Sequence, residues 1–169
     1  MTTSGSMRET FVASVEAHRG IIYKIARAYC WTEDDRDDLV QDILAQAWRA
    51  YASYDASRPF GTWLYRVAFN VAISWLRIHA PRQRATVPLD PDLHDAGTAP
   101  PDLVAAERVR ALTVAIRQLE PLDRALVLLY LDDRSHRDIA AVLGLSESNV
   151  ATKLHRLTRR LRERLESLA

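Results

Sequence analysis

Apolar positions along the chain recur at steps of three and four, the period of helices with one buried face. Phe11, Val15, Ile22, Ile25, Ala26 and Tyr29 predict helix from Met7 to Cys30, interrupted near His18 and Gly20. Residues 1 to 6 are small and polar with nothing to pack, which makes Met7 a candidate start. A second helix begins after Thr32, a good N-cap, with five acidic residues from Glu33 to Asp38 near its positive end. Its core face is Leu39, Ile43, Ala47 and Trp48, while Gln41 and Asp42 prolong the polar face beyond what capping needs, which suggests a partner surface.

Tyr51 to Thr62 holds Asp55, Ser57, Pro59 and Gly61, all turn formers, and is expected to be a loop. A third helix is expected over Trp63 to about Ile78, with Leu64, Val67, Ala68, Val71 and Leu76 as core and Asn70 exposed. Trp63, Tyr65, Phe69 and Trp75, with Arg66 and Arg77 among them, either stack on unpaired bases or fill a small helical core.

From Pro81 to Leu103 the pattern lapses. Five of the seven prolines fall there, so residues 81–103 are expected to be a linker, able to span roughly 70 Å at ~3.1 Å per residue. Periodicity resumes in Leu103 to Leu119, and Pro121 suits the first turn of a helix running to Leu131. Ile139, Ala140 and Leu143 then share one face of a short helix, and Gly144 supplies the permissive backbone of a sharp exit. Ser146 can cap a further helix, on which Val150, Leu154, Leu157, Leu161, Leu165 and Leu168 form the buried stripe. Two helices crossing at so short a turn make a helix-turn-helix. The expected fold is all-α: a helical domain over 1–80, the linker, and a helix-turn-helix domain over 104–169.

Charge sharpens the division. The net charge is only +1, yet Lys153, Arg156, Arg159, Arg160, Arg162 and Arg164 place six positive charges within twelve residues against Glu163 alone, which suits phosphate contact. Twelve of the thirteen aromatic residues precede residue 76, so the two domains are expected to do different work. Cys30 is the single cysteine, so an internal disulfide is excluded and the cytoplasm is the expected compartment. No apolar run approaches the roughly 18 to 20 residues of a membrane span. No Gly-rich phosphate loop, metal-ligand spacing or nucleophile pattern stands out, which argues against an enzyme, a metal or a cofactor.

Three strings in this order, DDLVQDILAQAWRAY (37–51), RPFGTWLYRVAFNVAISWLR (58–77) and HRDIAAVLGLSESNVATKLHRLTRRLRE (136–163), resemble the extracytoplasmic-function sigma factors. These are small two-domain bacterial factors that direct RNA polymerase to promoters. The resemblance implies that Asp38, Gln41 and Asp42 dock on the polymerase's largest subunit. It implies that Tyr54, Asp55, Phe60, Trp63, Arg66 and Asn70 capture an unstacked base of the −10 element. Ser148, Thr152, Lys153, His155 and Arg156 would read the −35 duplex, with Arg159 and Arg160 on phosphates. Ala151 departs from the family, which often has a basic residue there. Core RNA polymerase, promoter DNA and an anti-sigma factor are the partners implied. The alternative reading is a helix-turn-helix regulator that acts without being a polymerase subunit.

Overall fold

The computed structural model describes residues 3–85 and 103–167. They form eight helices and no strand among the described residues: α1 (Thr3–Ala17), α2 (Arg19–Tyr29), α3 (Glu33–Tyr51), α4 (Phe60–Ala85), α5 (Leu103–Arg117), α6 (Pro121–Leu131), α7 (His136–Leu143) and α8 (Glu147–Glu166). The chain divides into two compact units, Met1–Ala80 and Pro81–Ala169.

In the first unit the break between α1 and α2 falls at His18, whose backbone leaves the helical region at φ −121° and ψ 12°. Its Nδ1 donates to the Ser14 carbonyl at 2.8 Å, pinning the ring at the corner. α1 starts at Thr3, ahead of Met7, so the small polar stretch before Met7 is partly helical. Thr32 caps α3 by accepting from the Asp35 N–H at 3.2 Å, and Glu33, Asp34 and Asp35 sit at the positive end of the helix. Ile22, Ile25, Tyr29, Leu39, Ile43, Leu64 and Phe69 make the centre of the core.

Three expectations fail here. Trp48, read as core, is 43% exposed and lies over Phe11 at a ring separation of 5.1 Å. α4 begins at Phe60, because Pro59 fixes the entry and Gly61 is a packing residue rather than a turn. It also continues to Ala85, five residues into the segment expected as linker. Residues 86–102 of that segment lie outside the described residues.

The second unit packs α5 to α8 around Leu126, Val127, Leu129, Ile139 and Val150. Arg124 of α6 is buried at 4% exposure and donates Nη2 to the carbonyls of Arg117 and Leu119, satisfying the C-terminal end of α5 with a cation. Ser135 caps α7, accepting from the Asp138 N–H at 3.1 Å and donating to its carboxylate at 2.7 Å. Gly144 ends α7 in the left-handed region at φ 69°, and Ser146 starts α8 by accepting from the Asn149 N–H at 3.2 Å. The helix-turn-helix is therefore built by local chemistry at a cap, a glycine and a second cap. Val150, Leu154, Leu157 and Leu161 hold α8 against the unit; Leu165 is half-buried and Leu168 lies outside the described residues.

Candidate nucleic-acid interface

α3 presents the first of three surfaces. Asp38, Gln41 and Asp42 stand at i, i+3 and i+4, hence on one side of the helix, and all three are exposed. Leu39, Val40, Ile43 and Ala47 are buried on the other side. The result is an acidic face that the core does not use.

The second surface is a pocket of ≈ 500 Å³ between α3, the loop 52–59 and α4. It brings together Tyr54, Asp55, Trp63, Arg66 and Asn70, five of the six residues expected at a −10 base, along with Gln46, Ser53, Arg58 and Val67. The loop is ordered by its own polar groups. Asp55 Oδ1 accepts from the Ser57 N–H at 3.0 Å, Arg58 Nε lies 3.7 Å from Asp55 Oδ2, and the Tyr54 hydroxyl donates to the Arg58 carbonyl at 2.6 Å. Hydrogen bonds from the Ser57 side chain and backbone, then the Arg58 charge, hold the Asp55 carboxyl below its ordinary range.

Rings complete the wall. Tyr54 lies 5.1 Å from Trp63 and 5.5 Å from Phe60, and Phe60 lies 5.2 Å from Trp63 and 5.3 Å from His18. Phe60, the sixth expected residue, supports the pocket from behind rather than lining it. Tyr65, Phe69 and Trp75 are buried at 6% exposure or less, so of the four rings of this helix proposed for base stacking only Trp63 is accessible. The other three face inward because positions 65, 68, 69, 72, 75 and 76 form one buried stripe along α4. The pocket thus offers aromatic faces, the amides of Asn70 and Gln46, and the guanidinium groups of Arg58 and Arg66. That combination suits a single unpaired nucleotide: a flat ring to stack, edges to bond and a phosphate to neutralise.

α8 carries the third surface. At about 100° per residue, Ser148, Thr152, His155, Arg156 and Arg159 fall within an arc of roughly 100° centred opposite the buried stripe. All five are exposed. The Thr152 hydroxyl donates to the Ser148 carbonyl at 2.9 Å, and Arg159 pairs loosely with Glu163 at 3.7 Å. Arg160 is exposed at the flank of the arc. Lys153 departs from the expectation of a base reader: it is half-buried beside the apolar stripe, 3.8 Å from Asp123 of α6.

Sequence reasoning passed over Gln46, Arg58 and Asp123. Arg58 stood inside the RPFGTWLYR string, and Gln46 lies four residues before Ala50 on the side of α3 that meets the loop. Nothing in the sequence linked Asp123 to Lys153.

The three surfaces lie in two stretches that match known protein families. Residues 14–81 match Sigma-70 region 2, and residues 110–161 match Sigma-70, region 4. The RNA polymerase sigma factor CnrH of Cupriavidus metallidurans is 31% identical over 97% of this chain and 90% of its own. This chain belongs to the extracytoplasmic-function sigma factors. The ECF RNA polymerase sigma factor SigX of Bacillus subtilis is 29% identical over 96% of this chain and 87% of its own. A solved structure of CnrH in complex with the cytosolic domain of CnrY aligns with a TM-score of 0.63 at 28% identity, covering 95% of this chain and 88% of that one. The sigma factor RpoE from Bartonella quintana, solved in complex with the anti-sigma factor NepR, shares the fold with a TM-score of 0.68 at 22% identity over 95% and 97% of the two chains. This sigma factor works with core RNA polymerase and promoter DNA as a promoter-specific transcription initiation factor.

Proposed function

We infer that this sigma factor divides promoter recognition between its two units over the boundaries 1–80 and 104–169. Asp38, Gln41 and Asp42 dock core RNA polymerase. The pocket bearing Tyr54, Asp55, Trp63, Arg66 and Asn70, supported by Phe60, takes an unstacked −10 base. α8 enters the −35 major groove with Ser148, Thr152, His155 and Arg156 toward base edges and Arg159 and Arg160 toward phosphates. A base leaving the stack costs a few kcal/mol, and aromatic stacking at roughly 1 to 3 kcal/mol per base offsets it, so binding and melting are one event. The observation that carries this reading is the convergence of Trp63, Arg66 and Asn70 on one pocket within the stretch matching Sigma-70 region 2.

An anti-sigma factor is a further partner in this reading, supported by the complex that the structurally similar RpoE forms with the anti-sigma factor NepR. The cytoplasm, where polymerase and promoters meet, is the site of action, and no helix among the described residues is long and apolar enough to cross a membrane. A regulator acting without polymerase is the weaker reading, because it leaves the match over residues 14–81 without a purpose. Run-off transcription with core polymerase decides between them. Start sites that appear only when this chain is added, with the chain co-migrating with core enzyme, are expected; DNA binding with neither would overturn the reading.

A further inference from the structure

Lys153 stands apart from the other cations of α8. Its Nζ lies 3.8 Å from Asp123 Oδ1, with the two side chains 28% and 22% exposed. By contrast both ends of the Arg159–Glu163 pair are 66% exposed, where solvent screens the attraction. The position follows from the helical period: Lys153 is one turn before Leu157 and beside Val150 and Leu154, so its stem lies along the apolar seam and its charge reaches α6. Asp123 sits in the first turn of α6 behind Pro121. The cation seen in the sequence is therefore paired within the unit, at the flank of the arc of Ser148, Thr152, Arg156 and Arg159.

We propose that Asp123 is a positioning residue for promoter binding: it withdraws Lys153 from the phosphate-binding charges of α8 and so sets −35 affinity below what the helix's charge would give. The proposal rests on the reading of α8 as the −35 duplex helix. A Lys–phosphate contact is blind to sequence and would strengthen binding everywhere on DNA alike, lengthening stays on unrelated duplex without adding to the discrimination supplied by base-edge contacts. Masking one such charge keeps the helix searching rather than resting on unrelated duplex.

The test uses the full chain assembled with core polymerase, measuring closed-complex affinity over a salt series on a promoter fragment and on one with a scrambled −35 element. Asp123→Asn is expected to steepen the dependence of log K on log salt by roughly 0.9 and to raise affinity for both fragments by the same factor. Lys153→Met alone should leave slope and base preference at parental values. The double variant should return the slope to parental, and Asp123→Glu, which keeps the pair, should not move it. A purely structural pair would instead weaken binding in Asp123→Asn without steepening the slope, and that result overturns the proposal. So does a lower slope, or a relaxed preference at one −35 position, in Lys153→Met, because Lys153 would then already touch DNA in the parent. Arg159→Ala in the same series separates the two levels of inference: an unchanged slope there removes α8 from the phosphates and overturns both.

Discussion

Gly61 is closed down onto His18: a Cβ at position 61 would stand 3.2 Å from His18 Cδ2 and 3.4 Å from Nε2. The imidazole has little room to retreat, because its Nδ1 is bonded to the Ser14 carbonyl at 2.8 Å and its ring lies 5.3 Å from that of Phe60. The first turn of α4, which carries Phe60 and leads to Trp63, is thereby keyed to the corner between α1 and α2.

Replacing Gly61 by alanine at an open helical site would stabilise by about 1 kcal/mol. Here the close approach adds an overpacking cost of about 2 kcal/mol, which outweighs that gain, and Gly61→Ala is expected to destabilise by about 1 kcal/mol net. In a His18→Ala background the same change should be neutral or stabilising. Denaturant unfolding of the four proteins in the cycle measures the coupling; additive effects would show that the imidazole is not the obstacle.

The acidic face of α3 gives a cleaner separation of binding from stability. Asp38→Arg, Gln41→Ala and Asp42→Lys together should reduce core-polymerase affinity at least tenfold, about 1.4 kcal/mol. Surface changes of this kind usually shift stability within about 0.5 kcal/mol each, and the buried side of α3, led by Leu39 and Ile43, is untouched. Unchanged affinity with unchanged helicity and Tm would remove the docking role from this face.

What was legible in the sequence was local. Thr32, Gly144 and Ser146 act within one turn of themselves, so their caps and the helix-turn-helix could be read residue by residue. What was not legible depended on residues distant in the chain. Gly61 reads as a turn former until His18 is known to face it, and Tyr65, Phe69 and Trp75 cannot be told from Trp63 until the core of the unit is assembled. Lys153 belongs to a visible basic run, yet its charge is answered from α6. The pocket was half legible: Tyr54 to Trp63 could be grouped by sequence, whereas Gln46 joins only through the geometry of α3.

On α8, position around the helix predicts two kinds of loss. Arg156→Ala should cost about 1 to 3 kcal/mol and relax preference at one −35 position. Arg159→Ala should weaken all duplexes alike and reduce the salt slope by about one unit; its exposed Glu163 partner offers little competition for a phosphate. A binding series over single-base variants, run at several salt concentrations, distinguishes them. Identical behaviour of the two variants would dissolve the division into base reader and phosphate clamp.

Asn70 allows promoter opening to be separated from duplex binding. Its side chain is exposed at the pocket, whereas its neighbour Phe69 is buried, so Asn70→Ala removes an amide without opening a cavity in the core. α8 lies in the other unit and is unaltered. Binding to a −35 duplex should therefore match the parent, while opening should fall, because the remaining pocket groups must then offset an unstacking cost of a few kcal/mol without the amide. A template with a pre-melted −10 bubble should recover part of the lost transcription, since the unstacking cost is already met. It should not recover the preference at the captured base, which depends on the missing donor and acceptor rather than on strand separation. Permanganate reactivity of −10 thymines in complexes with core polymerase reads the opening directly. Parental reactivity in Asn70→Ala, with base preference intact on the bubble template, would make this asparagine a surface residue only and leave capture to Trp63, Arg58 and Arg66.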